Sequence, residues 1–214
     1  MAWFRAFLVK KFLQTPDRIG QQIRFLVETE KLKAVLRQTS PVGVARYENS
    51  AEHSWTLALM AVVLAEHVDQ QLDLLRVLRM LLIHDLVEID AGDTFCYDAA
   101  ANVTKADREA RAAERVFGLL PADQASELRE LWQEFEARRS AEAAFANALD
   151  RLMPLLQNLR NGGGSWREHR IASEQVLNRC RPIEAGSAAL WAYAQTVLAE
   201  ARRLNLFSDG AGDV

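Results

Sequence analysis

The chain carries hydrophobic residues at three- and four-residue steps over most of its length, which is the spacing of an amphipathic α-helix. Residues 17–36 show it first, where Ile19, Ile23 and Leu26 belong to a stripe that is expected to face the core from one or two helices. Further helices are predicted over residues 50–67, 73–90, 104–118, 121–138, 141–160, 166–180 and 186–204. Because strand-like alternation is scarce, we expect an all-α fold class, a single domain of about eight helices.

Capping and breaking residues define several helix ends. Asn49 followed by Glu52 has the spacing of an N-cap and its acidic partner, so a helix is expected to start near residue 50. Gly92 is expected to end the helix that begins near residue 73. Pro154 predicts a kink inside the helix over 141–160, which the run of three glycines after Asn161 then closes.

No linker divides the chain, so one domain is expected over residues 17–207. It would be preceded by an N-terminal extension or helix at 1–16 and followed by a flexible tail at 208–214. The opening segment is apolar, but it lacks the long apolar core and the cleavage site of a signal peptide. No segment is apolar for long enough to cross a bilayer, so no membrane partner is expected.

Composition narrows the function classes. Lys and Arg number 26 against 29 Asp and Glu, which gives a net charge of −3 over 214 residues. Such a balance lacks the basic surface that binds duplex nucleic acid, although it is compatible with a single nucleotide as a ligand. Cys96 and Cys180 are too few for a disulfide framework or a sulfur-rich zinc site. A reducing, cytoplasmic location is therefore expected.

Three ionisable residues lie near the end of the most apolar predicted helix. The segment 72–89 is apolar on nearly every face, yet it contains His84, Asp85 and Glu88. Ionised groups in such surroundings destabilise the fold unless they are paired or bind a metal. Helical neighbours lie three or four residues apart, so Glu88 shares a face with both His84 and Asp85. The three side chains are therefore expected to converge on one pocket.

His53 supplies a second imidazole, in the first turn of the preceding helix. If the two helices pack antiparallel, as their short connection indicates, His53 approaches His84 and Asp85. Two imidazoles and a carboxylate can form half of the shell around a divalent cation. Asp150, in an apolar stretch of a later helix, is the candidate for a fourth ligand. Its alternative role is structural, in a pair with Arg151 or at a helix end.

These residues fall in three stretches of the sequence, RYENSAEHSW at 46–55, LLIHDLVEIDAGDTF at 81–95 and ALDRLMPLLQN at 148–158. In this order, with Glu88 and the Gly-Asp pair that follows it, they resemble the HD-domain superfamily of metal-dependent phosphohydrolases, in its branch of small nucleotidase-like proteins. The similarity extends over roughly residues 20–205. It implies an all-α HD/phosphodiesterase-like fold and a homodimer.

The resemblance also implies a role for each residue. One divalent cation would be held by four side chains, His53, His84, Asp85 and Asp150. Glu88 and Asp93 would be the acid/base pair near the attacking water and the phosphate, and which of the two is the acid is left open. Two nitrogen and two oxygen ligands admit Mn, Co, Fe, Ni, Zn or Mg as the cation.

Arg37 and Arg46 are candidates for substrate binding, because guanidinium groups bind phosphate well and both precede the metal helix. The alternative for each is a solvated surface arginine. The resembled family has a phosphate-contacting arginine at the position of Arg37. In its characterised 5′-deoxynucleotidases an aromatic residue follows that arginine and is associated with rejecting ribose, whereas Gln38 follows it here. The sugar preference is therefore open.

The predicted function is metal-dependent phosphomonoester hydrolysis, with a (deoxy)nucleoside 5′-monophosphate as the leading substrate. One alternative is an HD phosphodiesterase that acts on another nucleotide. The other is a non-catalytic, metal-containing nucleotide-binding module. Glu88 and Asp93 argue against the module, because a purely structural metal site would need neither residue.

Overall fold

Helices make up nearly all of the regular structure. The computed structural model describes residues 17–210. Along this range the helices α1 to α12 are, in chain order, Arg18–Thr29, Ser50–Leu64, Leu74–Ile83, Glu88–Ala91, Ala99–Val103, Lys105–Phe117, Ala122–Ala137, Ala141–Arg160, Gly164–Glu168, Ser173–Cys180, Ile183–Gly186 and Ala188–Arg203. The 3-10 turns are Glu30–Ala34, Ala65–His67, His84–Val87 and Ser208–Gly210. The described residues contain no strand, so the all-α prediction is confirmed.

The two ends of the chain lie partly outside this range. The predicted extension at 1–16 and the last four residues of the predicted tail are not among the described residues. The start of that tail forms the turn Ser208–Gly210, in which the Asp209 carboxylate accepts hydrogen bonds from the backbone N and the Oγ of Ser173 at 2.9 and 2.7 Å. No helix between residues 17 and 210 is long and apolar enough to cross a membrane.

The helix predicted over 73–90 consists of three pieces. Helix α3 ends at Ile83, a 3-10 turn covers His84–Val87, and α4 covers Glu88–Ala91. The ring nitrogen Nδ1 of His84 lies 2.9 Å from the carbonyl oxygen of Leu81, so the imidazole turns back on the last turn of α3. Gly92 ends α4 as predicted, with a φ of 72° that favours glycine.

Helix α8 is the central element of the fold. It packs against α2 and α3 on one side and against the later helices α10, α11 and α12 on another. The chain runs through Pro154 without leaving the helix. After Asn161, Gly162 and Gly163 take φ values of 65° and 105°, which confirms the predicted glycine stop.

The prediction that the apolar stripe on α1 faces the core is wrong. Ile19 and Leu26 are 64% and 57% exposed, and Phe25 is the large side chain of α1 that is buried. The buried residues of α1 are Gly20 and Phe25, so the face that turns inward is not the one with the stripe. The helix contacts α6, and Arg18 also pairs with the exposed Asp123 of α7 at 2.7 Å.

The region predicted as one helix over 166–180 is two helices, α9 and α10. Arg170 lies between them with a φ of 53°, a left-handed conformation that no helix accommodates. Helix α5 was not predicted either, because it is only five residues long. Its first turn is capped by Asp98, whose side chain accepts a hydrogen bond from the backbone N of Ala101.

Candidate metal centre

Three elements bring the candidate ligands together. His53 lies in the first turn of α2, His84 and Asp85 in the 3-10 turn after α3, and Asp150 in the middle of α8. The start of α2 is fixed by the predicted capping box. The Asn49 side chain accepts a hydrogen bond from the backbone N of Glu52 at 3.0 Å, and the Glu52 carboxylate accepts one from the backbone N of Asn49 at 3.3 Å.

The two imidazoles and the α8 carboxylate converge. The ring centroids of His53 and His84 are 5.7 Å apart, and His53 Nε2 lies 3.1 Å from Asp150 Oδ1. One potential ligand atom from each of His53, His84 and Asp150 lies within 4.8 Å of the other two. The sequence argument that the start of α2 meets the end of α3 is therefore confirmed, and these three side chains form a group that could hold a metal ion.

The hydrogen bonding of the two imidazoles fits a cation. Since His84 Nδ1 faces the Leu81 carbonyl oxygen, Nε2 is the ring nitrogen of His84 that is available to a cation. His84 Nε2 is buried and makes no hydrogen bond to any described residue. His53 Nδ1 lies 3.3 Å from the buried carboxylate of Glu48. A carbonyl or carboxylate behind the non-coordinating nitrogen is the usual support of a metal-binding histidine.

Asp85 lies beside this group. Its Oδ1 is 3.1 Å from His84 Nε2, and its Oδ2 accepts a hydrogen bond from Arg37 at 3.0 Å. One oxygen of Asp85 thus faces Nε2 of His84, while the other accepts a hydrogen bond from the Arg37 guanidinium. This arrangement is compatible with the predicted role of Asp85 as a metal ligand, and that role stays a prediction.

Arg37 is surrounded by carboxylates. Besides Asp85, the guanidinium lies 3.6 Å from Glu48, 3.9 Å from Asp93 and 4.0 Å from Asp150. Burial alone would lower the pKa of Arg37, but the carboxylates, Asp85 first, outweigh it and raise that pKa. The side chain is only 13% exposed, so the positive charge of Arg37 serves chiefly to neutralise the acidic cluster.

The predicted acid/base pair lies next to the candidate ligands. Glu88 is buried, and its Oε2 accepts a hydrogen bond from Ser50 Oγ at 2.7 Å. Burial, together with the negative charge of Asp85, raises the pKa of Glu88 well above its ordinary value. Burial also raises the pKa of Asp93, although the nearby charge of Arg37 opposes that rise. Two carboxyl groups with raised pKa values beside a third carboxylate are typical of proton-transfer sites.

The pKa values of Asp150 and His53 are shifted in the directions expected of an ion pair. Burial alone would raise the pKa of Asp150, but its contact with His53 outweighs burial and holds that pKa well below the ordinary value. Burial and Arg37 both act to lower the pKa of His53, and the contacts with Asp150 and Glu48 raise it overall. Asp150 is therefore ionised, as a metal ligand must be.

A cavity of about 150 Å³ opens beside the group. Its walls near the candidate ligands are formed by six of the residues already described, Arg37, His84, Asp85, Glu88, Asp93 and Asp150. The cavity is also lined by charged residues that were not predicted from the sequence, among them Lys105, Glu109 and Arg179. The sequence contained a hint of the position of Arg179. This residue follows Val176 by three positions and precedes Cys180, both of which are buried, so its charge lies at the edge of an apolar stripe.

Arg46 is outside this cavity. Its guanidinium pairs with Glu52 at 2.6 Å and is about half exposed. Gln38, the residue after Arg37, does line the cavity, and its Oε1 lies 3.1 Å from His169 Nε2. The structure therefore brings Arg37 and Gln38 to the site, whereas the substrate-binding role of Arg46 stays a prediction.

The chain belongs to the HD domain family, whose sequence profile matches residues 29–191. The family resemblance of the three sequence stretches is thereby confirmed. The human protein 5′-deoxynucleotidase HDDC2 is 34% identical over 143 residues, which are 64% of this chain and 69% of the human protein. The mouse protein of the same name is 36% identical over 137 residues, 63% of this chain and 67% of its own length.

Solved structures agree with this assignment. A predicted metal-dependent phosphohydrolase from Magnetospirillum magnetotacticum superposes with a TM-score of 0.86 at 52% sequence identity, over 89% of this chain and 96% of that one. The PH0347 protein from Pyrococcus horikoshii superposes with a TM-score of 0.59 at 24% identity, over 85% of this chain and 99% of its own. The second likeness supports the fold alone.

Proposed function

We propose that this protein is a metal-dependent phosphohydrolase that releases phosphate from (deoxy)nucleoside 5′-monophosphates. The observation that carries the proposal is the convergence of His53, His84 and Asp150 beside a cavity that Glu88 and Asp93 also line. The 5′-deoxynucleotidase relatives and the phosphohydrolase likeness supply the substrate class. A phosphate monoester is small and anionic, which suits a cavity with both metal-ligand atoms and guanidinium groups.

One divalent cation would be held by His53, His84, Asp85 and Asp150. When bound, such a cation acts as a Lewis acid on the phosphoryl group and lowers the pKa of a water molecule. His84 would coordinate through Nε2, because its other ring nitrogen faces the Leu81 carbonyl oxygen. Nitrogen and oxygen donors of this kind leave the choice among Mn, Co, Fe, Ni, Zn and Mg open.

Glu88 and Asp93 would move the protons of the reaction. One carboxylate accepts the proton of the attacking water, and the other carboxyl group donates a proton to the leaving 5′-oxygen. Ser50 orients Glu88 through the hydrogen bond to its Oε2. Arg37 would hold Asp85 in place and present its outer face to the phosphate, and Arg46 would act at the periphery.

A phosphate-release screen tests this function. Purified protein, freed of metal and then supplied with each divalent cation in turn, is assayed with nucleoside mono-, di- and cyclic phosphates. We expect release from nucleoside 5′-monophosphates in the presence of at least one of the cations and none after chelation. Comparison of ribose with deoxyribose monophosphates measures the sugar preference. Cleavage of cyclic phosphates alone would instead support a phosphodiesterase, and binding without turnover would support a nucleotide-binding module.

The homodimer implied by the family resemblance is part of the proposal. Helix α2 exposes a row of apolar side chains at helical spacing, Trp55, Leu59, Val62 and Val63, each about half exposed or more. The family resemblance implies a second copy of the chain, and we place that copy on this exposed apolar face. Light scattering of wild type and Trp55→Glu tests it, because a dimer through α2 would dissociate in the variant and a dimer through another face would not.

The cytoplasmic location is also kept as a prediction. It rests on the cysteine content, and the structure leaves both Cys96 and Cys180 as free thiols.

A further inference from the structure

Asp150 lies between a histidine and an arginine. Its Oδ1 is 3.1 Å from His53 Nε2, and its Oδ2 is 3.6 Å from a terminal nitrogen of Arg179. Arg179 belongs to α10, an element that contributes none of the other candidate site residues. A guanidinium therefore lies beside one of the candidate metal ligands, next to the Asp150 oxygen that is not the one paired with His53.

The guanidinium of Arg179 has unused hydrogen-bond donors. The distance of 3.6 Å to Asp150 is longer than a hydrogen bond, and within the described part of the chain no hydrogen bond from this side chain is found. Its side chain is 35% exposed and lines the same cavity as His84 and Asp85. Five N–H donors in a rigid fork are thus presented next to the candidate metal group.

Arg37 has more carboxylate neighbours than Arg179. Four carboxylates lie within 4.0 Å of Arg37, whose side chain is 13% exposed, whereas Asp150 is the single ion-pair partner of Arg179 among the described residues. The charge of Arg37 is already compensated. Of the two arginines beside the candidate ligands, Arg179 is the one whose charge is less compensated by carboxylates and whose donors are less engaged.

We propose that Arg179 binds the phosphate group of the substrate, donating to its non-bridging oxygens while the reacting phosphorus lies near Asp150. This proposal rests on the proposed function. Phosphate monoesters carry close to two negative charges at neutral pH, and a planar guanidinium matches two of their oxygens at once. A purely structural alternative, in which Arg179 only neutralises Asp150, would leave its remaining donors without a purpose.

Two variants and a matched control test the proposal. Arg179→Gln removes the charge, Arg179→Lys keeps the charge without the fork, and Arg181→Gln changes an exposed arginine two residues away. Steady-state phosphate release gives kcat and KM, and titration calorimetry gives the dissociation constants of Mn²⁺ and of inorganic phosphate for the Mn²⁺-loaded protein. Circular dichroism confirms that each variant is folded.

We expect Arg179→Gln to raise KM and the phosphate dissociation constant by about 10- to 100-fold, the range of a charge-assisted hydrogen bond. Arg179→Lys should fall between this variant and the wild type, and Arg181→Gln should match the wild type. Mn²⁺ affinity should stay within about threefold of the wild-type value, since metal ligands are retained and only a neighbour is changed.

Two results would overturn the proposal. Unchanged KM and phosphate affinity in Arg179→Gln would show that Arg179 does not meet the anion. A parallel loss of Mn²⁺ affinity, with phosphate affinity recovered at saturating Mn²⁺, would show that it acts through Asp150. If Arg179→Gln does not fold, Arg179→Lys decides by the same criteria. Absence of nucleotide hydrolysis in the wild type would instead refute the proposed function, while the phosphate titration would still test Arg179.

Discussion

Asp150 illustrates how a single residue acquires its role from tertiary structure. Its sequence neighbour Arg151 was the alternative partner, but the Arg151 guanidinium donates to the backbone oxygen and the Oδ1 of Asn147, both at 3.0 Å. Adjacent residues on a helix point in different directions, so Asp150 is free to face His53 of α2. The sequence could nominate Asp150 as a buried carboxylate, but only packing shows what it meets.

Glu88 is the residue whose substitution separates chemistry from metal binding. Glu88→Gln keeps the volume and the contact with Ser50 but removes the ionisable group. We expect bound metal to be retained and phosphate release to fall by about 100-fold or more, the usual contribution of a positioned acid or base. Metal content and initial rates are measured on the same preparations.

Glu66→Gln is the matched control for this prediction, because Glu66 is exposed on the surface. It should leave the rate unchanged. Wild-type turnover in Glu88→Gln would remove Glu88 from the mechanism.

The raised pKa of Glu109 predicts that the free energy of unfolding depends on pH. Burial raises the pKa of Glu109 to about 7, and Lys105, 3.5 Å away, only partly opposes this. The folded state therefore holds this proton more tightly than the unfolded state, so its stability falls as the pH rises from about 4.5 to 7. Glu109→Gln should remove this loss and, relative to wild type, be more stable at pH 8 than at pH 5.

Urea unfolding at the two pH values measures the difference, which should be on the order of 1–3 kcal/mol. An equal effect of the substitution at pH 5 and pH 8 would show that Glu109 titrates normally.

At the scale of single elements, helix ends could be predicted from the sequence, whereas the change from an α-helix to a 3-10 turn could not. The capping box at Asn49 and the stop at Gly92 follow from the residue types alone. The 3-10 turn at His84–Val87 had no such signal, because the apolar run continues through it. That turn places His84 and Asp85, so the local geometry of the candidate site was beyond the reach of the hydrophobic pattern.

The cap of α2 is expected to support both stability and the site. Asn49→Ala removes the acceptor for the backbone N of Glu52 and should lower the free energy of unfolding by about 1 kcal/mol, within 0.5–2. Asn49→Asp keeps the acceptor and should be close to wild type. Chemical denaturation measures the free energy of unfolding of both variants. An equal decrease in Asn49→Ala and Asn49→Asp would show that the acceptor for the backbone N of Glu52 does not account for the loss.

The contact between α8 and α11 should not tolerate a larger residue. A Cβ added at Gly186 would lie 2.5 Å from the carbonyl oxygen of Ala144 and 2.7 Å from the Cβ of Ala148. Gly186→Ala should therefore destabilise the protein by about 1–3 kcal/mol, the range of overpacked cores. Glu184→Ala, on the exposed face of α11, is the control, and thermal unfolding that is unchanged in Gly186→Ala would contradict this packing.

At the scale of the whole molecule, the fold class and most long helices could be predicted from periodicity and the family resemblance. One exception concerns α1, where the apolar stripe with Ile19 and Leu26 faces outward. Periodicity identifies an apolar face but does not decide which neighbour covers it, and in α1 the buried residues are Gly20 and Phe25 instead. The same limit applies to Arg179, whose proximity to Asp150 depends on how α10 packs against α8.

Titration calorimetry of Mn²⁺ into metal-free protein tests the central claim most directly, with wild type and Asp150→Asn compared. Asparagine preserves the shape of the side chain but removes the charge that His53 and the cation share. We predict one site in the wild type and an affinity reduced by about 100-fold or more in the variant, with phosphate release lost in parallel. Equal Mn²⁺ affinity in the two proteins would contradict a metal centre at His53, His84 and Asp150. A wild type that binds none of Mn²⁺, Co²⁺, Fe²⁺, Ni²⁺, Zn²⁺ and Mg²⁺ would contradict it as well.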